Sequence, residues 1–102
     1  MDTDNLIAHG RARFDHAAAK RTLKEKYQSK LVFAYNGGMF KAGPELINIL
    51  TAAEGQQGIY LLDLYETPVI ADHKELLKLA QTRWQETMKS WFEEYTQLSK
   101  NR

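Results

Sequence analysis

The sequence predicts an α+β domain in which long helices at both ends pack on a small antiparallel sheet, in the order α-β-β-α-β-β-α. Three observations carry this. Two long stretches, 4–28 and 72–99, contain no proline. Two short apolar runs are joined by Asn36-Gly37, the strongest short-range hairpin signal because both turn residues tolerate positive φ. A proline-led helical segment then separates that hairpin from a second pair of strand-like runs. With 102 residues, 43% hydrophobic and 26% charged, the whole chain 1–102 reads as a single domain with one core.

The first helix is expected from Asp4, a suitable N-cap, to Gln28, with Gly10 its one weak interior point. Its apolar residues do not form one stripe. Ile7, Phe14 and Ala18 fall on one side and Leu23 and Tyr27 nearly opposite, with His16 and Ala19 beside them. Such a helix either bends near residues 17–20 or buries its two halves against different things. Charge is concentrated here too. Residues 11–30 hold Arg11, Arg13, Lys20, Arg21, Lys24, Lys26 and Lys30 against Asp15 and Glu25, a local charge of +5 in a chain whose net charge is +1.

"KLVFAY" is a short strand and "MFKA" its return; a two-residue Asn36-Gly37 turn would set Phe33 opposite Phe40 as an aromatic cross-strand pair, while the extra Gly38 permits a three-residue turn with a bulge. An uncharged "LVFAY" invites aggregation as a bare edge, so it should be paired or covered. "GPELINILTAAEG" reads as a helix, with Pro44 at the first position, Glu45 complementing the dipole, Leu46, Ile49, Leu50 and Ala53 as its core stripe, and Gly55 as its stop. "IYLLDLY" follows as a strand with Ile59, Leu61 and Tyr65 on one face and Tyr60, Leu62 and Leu64 on the other. Both faces are apolar, which predicts a central strand covered on both sides. "ETPVIA" supplies a turn and a fourth strand, with Pro68 suited to an edge or strand start.

Asp72-His73-Lys74-Glu75 has the form of a capping box, and the helix it opens runs to about Ser99. Leu77, Ala80, Trp84, Met88, Trp91, Tyr95 and Leu98 recur every three or four residues as one apolar stripe, while Glu75, Lys78, Glu86, Lys89 and Glu93 supply opposite charges on the solvated side. Such a helix is about 42 Å long. A compact domain of this size is only about 35 Å across. The distal half of the stripe must therefore lie on the N-terminal helix, on a partner, or on a second copy.

No motif for chemistry emerges. Gly37-Gly38-x-x-Lys41-x-Gly43 lacks the Gly-Lys-Ser/Thr order of a phosphate loop, and Pro44 removes an N–H where an anion would bind, so these residues read as turn and helix-start punctuation. His9 and His16 are two helical turns apart, too far to share a metal, and His73 is remote in sequence. Asp63 and Glu66 flank a strand end, ordinary for a turn, and no nucleophile–base pairing is evident. The chain has no cysteine and no run long enough to span a membrane, and its N-terminus lacks the pattern of an export signal. A cytoplasmic protein without cofactor, metal or membrane attachment is expected.

"MFKAGPELINIL" and "YLLDLYETPVIADHKELLKLAQTRWQETMKSWFEEYTQL" resemble small uncharacterised proteins of large contractile-tailed phages, including those infecting cyanobacteria. The resemblance implies a phage protein made in a host cytoplasm, with assembly, virion and host-takeover roles all open, and it carries over no functional residue.

The expectation is a non-enzymatic interaction or assembly protein that forms a homo-oligomer, a dimer foremost, through Trp84, Met88, Trp91, Tyr95 and Leu98, or meets another protein there. The alternative is a nucleic-acid accessory protein contacting phosphates through Arg11, Arg13, Lys20, Arg21, Lys24 and Lys26.

Overall fold

A computed structural model describes the backbone of residues 3–100 and the side chains of residues 15–100. The side chains of Ile7, His9, Arg11, Arg13 and Phe14 lie outside the described residues. The element order is α1 (Thr3–Lys30), β1 (Val32–Tyr35), β2 (Gly38–Lys41), α2 (Pro44–Ala52), β3 (Gly58–Leu62), β4 (Pro68–Asp72) and α3 (His73–Lys100). This is the α+β order read from the sequence. The strands form two separate antiparallel hairpins, β1-β2 and β3-β4. Since α1 includes Thr3, Asp4 sits inside the helix and not at its cap.

The β1-β2 hairpin follows from its turn. Asn36 and Gly37 adopt φ of 47° and 85°, the paired left-handed conformations of a two-residue turn. The register places Phe33 opposite Phe40, with ring centroids 6.3 Å apart. In the second hairpin Ile59, Val69 and Ala71 point inward and are buried. The hairpins meet at Gly38, where an added Cβ would lie 2.9 Å from Val69 Cγ2 and 3.1 Å from Asp63 Cβ. Only a residue without a side chain permits that approach.

Asp63 joins the two hairpins electrostatically. Its Oδ2 accepts the Met39 N–H at 3.1 Å and its Oδ1 accepts the Tyr65 and Thr67 N–H groups, each at 2.9 Å. The Leu64 N–H in turn donates to the Met39 carbonyl at 2.8 Å. These three amides, Thr67 foremost and then Met39, hold the Asp63 carboxyl below its ordinary range. At Glu66 the turn passes through φ 61°.

In α2, Pro44 occupies the first turn as read from the sequence, Leu50 is fully buried, and Leu46 and Ala53 pack on the core beside it. Ile49 is a correction: expected in the core stripe, it is exposed. At the start of α3 the Asp72 carboxylate accepts the Glu75 N–H at 2.9 Å, the expected cap. His73 is buried and its Nε2 donates to the Leu50 carbonyl at 2.5 Å, tying α3 to α2. Leu31, Phe33, Phe40, Ala42, Leu50, Ile59, Val69, Ala71, Leu76 and Ala80 form the core. They lie in a head made of the hairpins, α2 and the first turns of α3.

Beyond the head, α1 and α3 run on together as an antiparallel arm. The principal extents are 67 × 24 × 20 Å and the radius of gyration is 19.4 Å, against about 13 Å for a compact chain of this length. The elongation answers the length argument. Of the three covers available to the distal half of α3, the chain supplies α1.

Candidate functional site: two uncovered surfaces

The arm is built on a seam that the apolar pattern predicts only in part. Leu23 and Tyr27 of α1 are buried. Tyr27 stacks on Trp91 with ring centroids 6.0 Å apart and planes 8° from parallel. From α3 the seam also takes Thr87, which is buried, and Glu94, which is half-buried. Glu94 Oε1 accepts from Lys26 Nζ at 2.7 Å and from the Tyr27 hydroxyl. The Lys26 ammonium, and then the Tyr27 hydroxyl, draw the Glu94 carboxyl below its ordinary range. The same contact pushes Lys26 and Tyr27 upward, each chiefly through its hydrogen bond with Glu94.

Intrachain packing uses much of the stripe expected to meet a second copy. Trp84 and Met88 pack on the core cluster, Trp91 lies on Tyr27, and Leu98 is half-buried. Tyr95 remains 39% exposed, and beside it Phe92, which the three-and-four spacing passes over, is 69% exposed. Met88, Trp91, Phe92 and Tyr95 together line a shallow apolar depression.

The six cations named for nucleic-acid contact divide. Arg11 and Arg13 lie outside the described side chains, and Lys26 is committed to Glu94, the one ion pair among the described residues. Lys20, Arg21 and Lys24 lie on the other flank of the arm. With Ala17, Trp91 and Tyr95 they line an open groove of roughly 460 Å³ between α1 and α3. Lys20 Nζ stands 6.0 Å from the Tyr95 ring centre. Two sets of residues that the sequence kept apart, the basic face of α1 and the aromatic stripe of α3, thus share one groove.

The second surface is on the head. Tyr60, Leu62 and Ile70 project from the outer face of β3-β4 and are 81%, 64% and 51% exposed. Tyr60 and Ile70 are directly opposed in the register. This corrects the expectation of a strand covered on both sides. Alternation of apolar residues shows that both faces seek cover, but not whether the chain itself provides it. Leu62 continues the face into an open cleft that includes Leu46, Ile49 and Leu64. Tyr65, expected to share the inner face, is exposed in the turn after β3. Charged residues border the patch: Asp72 follows Ile70 on the same exposed side of β4, and Lys41, Glu45 and Glu66 help to line the cleft.

A third concavity, between the end of α2 and the start of α3, is lined by polar residues including Gln57, Asp72, His73 and Gln81. Asp72 and His73 use their side chains to bond α3 and α2 backbone. Among the described residues no cluster of His, Asp and Glu could hold a metal ion, and no helix is long and apolar enough to cross a membrane. Comparison of the chain with protein-family models, curated proteins and solved structures finds no match.

Proposed function

We propose that the protein is a non-enzymatic interaction or assembly protein that self-associates, with a two-fold dimer as the simplest closed form. The observation that supports this reading is the outer face of β3-β4, where Tyr60, Leu62 and Ile70 stand exposed side by side. Contiguous exposed apolar surface of this sort marks interaction sites. An exposed apolar sheet face can pack on its own copy, since sheets pack face to face at about 10 Å through such side chains. The contact surface is thus moved from the α3 stripe, much of which packs within the chain, to the head. A phage origin and a host-cytoplasm location, which the sequence resemblance implies, belong to this reading.

Light scattering across a dilution series tests it. The account expects a mass of two chains at about 10 µM, falling toward one on dilution. A single-chain mass throughout contradicts it. The nucleic-acid reading keeps Lys20, Arg21 and Lys24 as its accessible described cations, and is checked by whether DNA or RNA binds at low salt and dissociates steeply as salt rises.

A further inference from the structure

The groove between α1 and α3 is chemically lopsided. On one flank of the arm, Lys26 has Glu94 as its partner, and Lys30 Nζ lies 4.9 Å from the Tyr27 ring centre. On the other flank, Lys20, Arg21 and Lys24 border Trp91 and Tyr95. Stepping about 100° per residue, the α3 positions turned to that flank are Tyr95, Met88, Gln81, Ser99 and Phe92, none acidic. Among the described side chains, the carboxylates of α1, Asp15 and Glu25, lie further round its outer surface; of those of α3, Glu94 is paired with Lys26 on the opposite flank, and Glu75, Glu86 and Glu93 face away. This flank therefore pairs an apolar floor with a cationic wall that no α3 carboxylate answers.

We infer that this groove is a docking site for an acidic amphipathic helix of another protein, whose apolar stripe lies on Trp91, Phe92 and Tyr95 and whose carboxylates meet Lys20, Arg21 and Lys24. The shape suits a helix. A seam between two antiparallel helices accepts a third at about 8–10 Å, completing a bundle. Lys20 and Lys24 are one turn apart, about 6 Å along the axis, the spacing of carboxylates four residues apart on a helix. Lysine and arginine stems extend the apolar floor while their charged heads reach its rim. A nucleic-acid strand fits less well. One face of Trp91 is taken by Tyr27, and the described cations cover one turn where a strand tracks a site of about 4–16 nucleotides. A second copy fits poorly as well, because an isologous contact here sets one basic wall against another. This surface is separate from the exposed apolar face of the head, so the two proposals stand or fall independently.

The test uses the full chain and three helical peptides of about 18 residues, or five turns. They share one apolar stripe and carry Glu, Gln or Lys along one flank; a fluorescent oligo-dT serves as the nucleic-acid probe. Affinity should fall in the order Glu, Gln, Lys, with the Glu peptide binding below about 100 µM. The Lys20→Glu/Arg21→Glu/Lys24→Glu variant should lose Glu-peptide binding by about tenfold or more and gain the Lys peptide, a gain that an unfolded variant does not show. Phe92→Ser should weaken all three peptides alike. No binding of the Glu peptide at about 1 mM, equal affinity for the three flanks, or tighter binding of oligo-dT overturns the proposal.

Discussion

The head and the arm bury their residues by different means. In the head ten apolar side chains close into one cluster, and the hairpins are cross-linked by the backbone hydrogen bonds to Asp63. In the arm the described seam rests on Leu23, Tyr27, Trp91 and Thr87, with one ion pair at its edge. The difference separates stability from recognition. The head holds the main core and offers one exposed apolar face. The arm has less to bury and leaves aromatic and cationic groups at its surface.

The largest effects are expected in the core. Leu76→Ala and Leu50→Ala each empty a fully buried site of the head and should cost about 2–5 kcal/mol in urea unfolding. Leu23→Ala, in the arm, should cost about 2 kcal/mol, the low end of the same range, because its surroundings collapse more readily. Equal losses would mean that head and arm are one cooperative core. Gly38→Ala should cost about 1–3 kcal/mol by forcing Val69 or Asp63 to move, and amide exchange should show both hairpins loosened while the arm is unchanged.

Acid sharpens the distinction next. Asp63 and Glu94 both have carboxyl groups held below their ordinary range. Their stabilisation is complete above about pH 5 to 6, beyond the unfolded carboxyl values, and is lost as pH falls through the lowered folded values. Asp63→Asn should flatten the acid response of the head, and Glu94→Gln that of the arm, each read by amide exchange between about pH 3 and 6. The smallest effect belongs to the outer face. Tyr60→Thr and Ile70→Thr keep strand propensity and should change stability by no more than about 0.5 kcal/mol. Their consequence should appear in mass alone.

How much of this was legible depends on how local each cause is. Asn36-Gly37, Gly43-Pro44 and the Asp72 cap act within a few residues, so the order of elements is legible, and the observed Phe33–Phe40 register is one of the two that Asn36-Gly37-Gly38 allows. The arm seam is different. Thr87 and Glu94 are polar, so a search for apolar periodicity passes over them, although Glu94 holds Lys26 and Tyr27. Phe92 lies about 100° round from Trp91 and escapes a three-and-four stripe for that reason. Asp63 had a visible signal, an Asp closing a strand four residues before Thr67, but its bond to Met39 spans 24 residues and no local rule contains it. Exposure of Tyr60 and Ile70 is the least legible, because it depends on which elements reach that face.

Sedimentation equilibrium on three proteins tests self-association through the outer face of β3-β4. These are the wild type, Tyr60→Thr/Ile70→Thr, and Phe92→Ser/Tyr95→Ser, each at about 10 µM with its fold checked by circular dichroism. The account predicts a dimer for the wild type and the arm variant, and a monomer for the head variant. A monomeric wild type, or a head variant that remains dimeric while the arm variant dissociates, would contradict it.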